Sequence, residues 1–339
     1  MPSKETEGLK RLYQSWVAAF AANPNMPLDE RRDMIEHWGD VSAEPGGVDY
    51  IETDAGGVPA MWAVPKGCSE DRVVLCLHGG GFVSGSMYTH RKVYGHLAKA
   101  IGCRALILNF RRTPEHKYPA QVEDAVTAYR WLLDGGIKAN HIALAGDSAG
   151  GGLAVSALFA ARERRLPAPA AAMPLSAWLD MELSGETMES NRGKDALFPG
   201  KEAIEPLVTM FLGERSNRRD PLASPLYGDL TGLPPLYLQV GGDELLVDDS
   251  RRIAERARKA GVDVRFDIFP GLQHCFHFSA GHAREADDAI RKLAEWVRPK
   301  LGLGQAGPFG GDETFVTVPP RRSRFQDRRP EARRNGRCS

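Results

Sequence analysis

Long apolar runs are missing from this 339-residue chain, and none approaches the length of about 18 residues needed to cross a bilayer. The N-terminal segment offers no secretory leader either, because Trp16 to Ala22 is a short apolar stretch preceded by acidic residues. Stable membrane insertion is therefore not expected, and a cytoplasmic location is. Cysteines are few: Cys68, Cys76, Cys103, Cys275 and Cys338 are odd in number and form no C-x-x-C pair. This argues against a disulfide framework or a zinc site and for reduced thiols, with Cys76 and Cys103 as small core residues. Net charge is absent too, since 44 Lys and Arg balance 44 Asp and Glu. The balance conceals an asymmetry: residues 321–339 hold eight arginines against Asp327 and Glu331, which leaves the rest mildly acidic. Such a body gives no reason to expect nucleic-acid binding.

What is present fits a globular enzyme, with 42% apolar and 26% charged residues. The length suits one sizeable α/β domain with decorations, or two small domains. Leu9, Leu12, Tyr13, Trp16, Val17 and Phe20 recur at helical spacing and predict an amphipathic helix that Pro24 and Pro27 break. A second helix opens at Pro27, with Met34, Ile35 and Trp38 on its apolar side. Packing against the body and forming a lid over a pocket satisfy that pattern equally. Val48–Thr53 and Val58–Val64, split by Asp54-Ala55-Gly56-Gly57, predict a hairpin. Strands at 72–77, 105–110, 141–147, 170–176, 236–240 and 264–268 then alternate with helices at 89–101, 121–133, 248–260 and 283–300. That alternation is the signature of an α/β fold, a mostly parallel sheet with helices on both faces. Residues 181–218 interrupt it, polar first and then helical from Gly200 to Leu212. The organisation expected is N-terminal cap helices over 1–45, a core over 46–180 and 219–303, a cap insertion over 181–218, and a disordered basic tail over 304–339.

Gly146-Asp147-Ser148-Ala149-Gly150 is a G-x-S-x-G elbow, preceded by a strand-like His141–Ala145 and followed by a helix-like Gly151–Ala161. A sharp strand-to-helix turn projects the serine hydroxyl clear of the sheet, and flanking glycines avoid collisions with neighbouring elements. About seventy residues earlier stands His78-Gly79-Gly80-Gly81-Phe82. Successive glycines let backbone N–H groups approach a reacting carbonyl, whose developing negative charge needs such donors. A phosphate cradle is the rival reading, but no Lys-Ser/Thr follows and the spacing is not a dinucleotide fingerprint.

A serine hydroxyl needs a base, usually a histidine oriented by a carboxylate, and in this arrangement the chain order is serine, acid, histidine. The strand at 236–240 runs into Gly241-Gly242-Asp243-Glu244, and that at 264–268 into Phe269-Pro270-Gly271-Leu272-Gln273-His274. Both carry their polar groups at C-terminal strand ends, where sites of open parallel sheets form. Ser148, Asp243 and His274 satisfy the order. Glu244 could substitute for Asp243, one step further from the strand end. Asp248 and Asp249 fit N-cap roles at the next helix. His277 rivals His274, whereas His90, His96 and His116 precede the elbow, and Cys275 lacks an elbow of its own.

Taken together, the HGGG run, Phe110-Arg111-Arg112-Thr113-Pro114-Glu115-His116, the extended elbow Gly146–Gly152, Asp243-Glu244-Leu245-Leu246-Val247-Asp248 and His274-Cys275-Phe276-His277 resemble the hormone-sensitive-lipase-like (family IV) carboxylesterases. The resemblance covers roughly residues 45–300. It implies an α/β-hydrolase core with an eight-stranded sheet and a helical cap built from the N-terminal helices and the insertion. It implies Ser148 as nucleophile, Asp243 as acid, His274 as base, and the N–H groups of Gly80, Gly81 and Ala149 as the oxyanion hole. The activity implied is cofactor-independent, metal-free hydrolysis of short- to medium-chain small-molecule esters by a monomer or homodimer. A lactone hydrolase would use the same machinery. From another class comes a non-catalytic small-ligand receptor on this fold, as in plant gibberellin receptors, where the catalytic histidine is lost; His274 stands here. The segment usually written Y-R-L-A-P-E departs from the pattern at Phe110 and at Arg112-Thr113, and the basic tail has no counterpart in the family.

Overall fold

A computed structural model describes residues 2–213 and 217–304 of the chain. From residue 305 on, the expected basic tail lies outside the described residues. The sheet is built from β1 (Val48–Asp54), β2 (Pro59–Pro65), β3 (Ser69–Leu77), β4 (Cys103–Leu108), β5 (Ile142–Asp147), β6 (Ala171–Leu175), β7 (Leu236–Gly241) and β8 (Val264–Phe269). Their order is β1-β2-β4-β3-β5-β6-β7-β8, antiparallel from β1 through β4 and parallel from there to β8. The chain therefore reverses direction across the sheet between β3 and β5, and ligands of open α/β sheets bind beyond the carboxyl ends at such a switch.

Strand alternation decides which helix covers which face. Val73, Leu75 and Leu77 of β3, with Leu106 and Leu108 of β4, point into one core layer. It is closed by α4 (Ala120–Asp134), α5 (Ala149–Glu163) and α8 (Val247–Lys259). Val74, Cys76, Ala105 and Ile107 point into the other. That layer is closed by α3 (Met87–Ile101), α9 (Arg284–Val297) and the apolar face of α1 (Glu7–Ala22). Helix α3 starts two residues before its expected limit because Ser86 Oγ accepts from Tyr88 and Thr89 N–H at 3.1 Å each. It ends at Gly102, whose φ of 75° lies in the left-handed region.

The second N-terminal helix, α2, runs Leu28–Glu36 and continues as a 3-10 turn through Val41. In the insertion, a short α6 (Thr187–Ser190) precedes a long loop. The helix expected from Gly200 splits instead into a 3-10 turn (Lys201–Ala203) and α7 (Glu205–Leu212). Pro206 in the first turn of α7 supplies the reason: it is well suited to start a helix and cannot donate within one.

Helix α5 lies so close to the sheet that a Cβ at Gly150 would collide with the main-chain carbonyls of Leu77 and His78. Gly150→Ala should therefore cost about 1–3 kcal/mol of stability by overpacking. Gly8, on α1 with open space around its Cα, should behave oppositely, Gly8→Ala gaining about 0.4–1 kcal/mol. Urea denaturation of the two variants checks both signs.

Candidate active site

Ser148 occupies the turn between β5 and α5 with φ 53° and ψ −122°, a conformation that L-residues rarely adopt. The turn is locked on both sides: Ser148 N–H donates to Leu175 O, and Ser148 O accepts from Trp178 N–H, each at 2.9 Å. The HGGG run follows β3 directly, with Gly80 at φ 108° and Gly81 at φ 63°. A side chain at Gly80 would strike the Ser84 carbonyl. Among the described residues the N–H groups of Gly80, Gly81 and Ala149 meet no acceptor, which leaves them available to a substrate oxygen.

A buried carboxylate joins this loop to the elbow. Asp147 Oδ1 accepts from Tyr94 OH at 2.7 Å and from Gly79 N–H at 3.2 Å, while Oδ2 lies 3.3 Å from His90 Nε2. Burial works to raise its pKa, but His90 and the tyrosine bond outweigh burial and hold it at about 2. Asp147 therefore stays ionised, and its charge holds Gly79 in place.

His274 lies on the loop after β8 and is fully buried. The carboxylate that meets it is that of Glu244, not the expected Asp243: Nδ1 donates to Glu244 Oε2 at 2.8 Å. The reason is local. After β7 the chain turns so that Glu244 folds back beneath the strand end, and Gly241 N–H donates to its Oε1 at 2.6 Å. Ser176 OH donates to the same oxygen at 2.5 Å. Asp243 instead spends its N–H on Leu272 O, and its side chain is only partly buried. Because a carboxylate can only accept, the imidazole proton sits on Nδ1 and the lone pair on Nε2. Among the described residues Nε2 has no hydrogen-bond partner. Burial acts to lower the His274 pKa, but the facing Glu244 charge and its hydrogen bond reverse this and leave it raised.

The remaining candidates resolve into structural roles. His277 donates from Nε2 to Gln239 Oε1 at 2.9 Å, and burial depresses its pKa to about 3. Asp248 and Asp249 do not cap α8, as sequence alone suggested. Asp248 accepts from Thr187 N–H at 3.0 Å, and Asp249 from the N–H groups of Leu179 and Asp180 at 2.8 and 3.0 Å. The Asp248 carboxylate reaches the insertion at Thr187, and that of Asp249 reaches the segment just before it, where main-chain donors need acceptors.

Three further residues support the site and carried no sequence signal of doing so. Tyr13 on α1 donates its OH to the main-chain carbonyl of His274 at 2.8 Å and accepts from Trp38 Nε1–H at 3.0 Å. Asp195, in the insertion, accepts from Leu245 N–H at 2.9 Å beside Glu244. Asn191 donates to the carbonyls of Gly242 and Glu244 at 3.0 and 2.8 Å.

Above Ser148, Gly80 and Gly81 opens a cavity of about 420 Å³. Trp16 and Phe20 of α1, Leu28 and Ile35 of α2, and Phe198 and Leu207 of the insertion wall it. A serine in strained geometry, free N–H donors, a buried imidazole–carboxylate pair and an apolar chamber are the parts that acyl transfer requires.

Residues 74–278 match the family model described as the α/β-hydrolase fold. An acetyl-hydrolase of Streptomyces hygroscopicus is 39% identical over 79% of this chain and 88% of its own length. The crystal structure of an esterase from the bacterial hormone-sensitive lipase family superposes with a TM-score of 0.84 at 41% identity, covering 89% of this chain and all of that one. A structure of EstE5 soaked with p-nitrophenyl butyrate is 35% identical, with a TM-score of 0.81 over 88% of this chain and 99% of that one. The chain belongs to the α/β-hydrolase family and, within it, to the hormone-sensitive-lipase-like carboxylic ester hydrolases.

Two substitutions test the acid. Glu244→Gln should lower kcat by about 10⁴, the order seen when such a carboxylate is neutralised and the tautomer is lost. Asp243→Asn should leave it close to the parent value. In the parent the acid limb of kcat/KM should fall above the ordinary imidazole pKa, because activity needs neutral His274 and Glu244 favours the charged form. The residual activity of Glu244→Gln should show that limb moved to lower pH. Tyr13→Phe leaves Trp38 Nε1–H without an acceptor and frees the His274 carbonyl. It should cost about 1–3 kcal/mol in urea denaturation and reduce kcat more than it raises KM.

Proposed function

We propose that this chain hydrolyses short- to medium-chain carboxylic esters through an acyl-enzyme on Ser148. The observation that carries the reading is the floor of the cavity, where the strained serine shares one apolar chamber with Gly80 and Gly81. Ser148 Oγ attacks the ester carbonyl while His274 Nε2 takes its proton. Glu244 holds the ring and offsets the imidazolium charge. The N–H groups of Gly80, Gly81 and Ala149 receive the negative charge on the carbonyl oxygen, where each donor is worth about 10²–10³ in rate. The imidazolium then protonates the departing alcohol. Water, activated by the same nitrogen, releases the acid.

Chain-length preference follows from the chamber. Its volume of about 420 Å³ suits a small molecule, and the indole, phenyl and leucyl walls favour an apolar acyl group of limited length. Residues 1–45 and 181–218 act as the cap that supplies those walls. A reducing, cytoplasmic setting agrees with the unpaired Cys68, Cys76, Cys103 and Cys275.

A series of p-nitrophenyl esters from acetate to palmitate tests the reading. Turnover should be greatest at the short end, near butyrate, and fall steeply for long acyl chains. Ser148→Ala should lose on the order of 10⁶ in kcat while melting at the parent temperature. A folded Ser148→Ala protein with parental activity would remove the mechanism.

A further inference from the structure

One side chain in the chamber does not belong there on apolar grounds. On α2, Leu28, Arg31 and Ile35 share the side that faces the cavity, at the i, i+3, i+7 spacing of one helical stripe. The middle position is an arginine. It is the one ionisable side chain among the described residues that line the chamber. Its neighbour Arg32 points elsewhere and is fully engaged, binding Glu115 through two bonds of 2.6 and 2.8 Å and the carbonyls of Val83 and Thr113.

Arg31 has no such partner. Among the described residues its side chain forms no ion pair, and its Nε is sealed from solvent without an acceptor. Its guanidinium lies over the Phe20 ring, 4.6 Å from the centroid, so the chamber's own aromatic wall fixes its direction. The outer guanidinium nitrogens form no hydrogen bond among the described residues and are not sealed, while Nε is buried beside an apolar chamber, at a cost that an acceptor there would relieve.

Resting on the ester-hydrolase reading above, we propose that Arg31 forms an anion subsite in the catalytic chamber, selecting esters whose acyl portion ends in a carboxylate. The carboxylate would accept from the guanidinium while the ester carbonyl lies over Ser148, and the methylenes between them would contact the aromatic and leucyl walls. Planar, two-point recognition of this kind is what arginine does better than lysine. No facing carboxylate among the chamber-lining residues competes for it.

The test compares matched pairs at neutral pH by titrating released acid: monoethyl succinate, glutarate and adipate against ethyl butanoate, pentanoate and hexanoate. The quantity read is the ratio of kcat/KM within each pair. Arg31→Met, which keeps the stem and removes the charge, should lower that ratio by about tenfold or more for at least one chain length, the size of a lost charge-assisted hydrogen bond. Arg31→Glu should lower it further, and Arg31→Lys should keep part of it. In the parent enzyme the ratio should also fall as salt is added, a measurement that needs no variant. A ratio that ignores both Arg31→Met and salt overturns the anion subsite while leaving ester hydrolysis standing. A parent enzyme that hydrolyses neither member of any pair, or a Ser148→Ala protein that hydrolyses both, overturns the underlying reading and the subsite with it.

Discussion

Buried carboxylates that collect main-chain N–H groups hold the active-site end of this sheet together. Loops at the carboxyl ends of parallel strands have no ladder to satisfy their backbone, so each needs donors and acceptors from elsewhere. Asp147 ties the glycine loop to the elbow, and Glu244 ties β7 to the histidine loop. Asp195 ties the insertion to the segment beside Glu244, and Asp249 ties α8 to the chain that follows β6. Two of the four show how finely this is balanced. The His90 and Tyr94 side chains keep Asp147 ionised, whereas burial and the neighbouring Asp180 push Asp249 up to about 8. The anchoring groups thus differ in charge state even where their architectural task is alike.

Much of this was legible in the sequence, for reasons that can be named. The elbow and the glycine run are written in residues whose backbone geometry is unusual, so their identity reports their conformation directly. Strand and helix alternation is periodic, and periodicity survives without any knowledge of neighbours. Gly102, Ser86 and Pro206 each moved or fixed an element boundary by one local rule. The carboxylate expected to face His274 was that of Asp243, because chain order and distance from the strand end cannot register a turn; the one that does is Glu244. Only the fold shows Glu244 bent back under Gly241.

The supporting residues were invisible for a different reason. Tyr13 announces itself as one member of an apolar stripe, and nothing in the stripe says that its hydroxyl meets a carbonyl far along the chain. Asp195 and Asn191 lie in a loop without periodicity. Arg31 interrupts a helical stripe that would otherwise be apolar, which is a signal, but it gains meaning only once that stripe faces the chamber holding Ser148.

The bond between Tyr13 and His274 spans 261 positions, and Trp38 stacks flat on Phe278 across a similar interval, with ring centroids 4.4 Å apart. During synthesis α1 emerges among the first elements, yet the loop it must hold is among the last. Its Leu9, Tyr13 and Trp16 face stays unmatched until the ribosome has delivered the far end of the core. Contacts so distant in sequence bear the greatest loop-closure entropy and form late. The loop that carries His274 is thus secured by a contact that folding makes late, once both α1 and the far end of the core are in place.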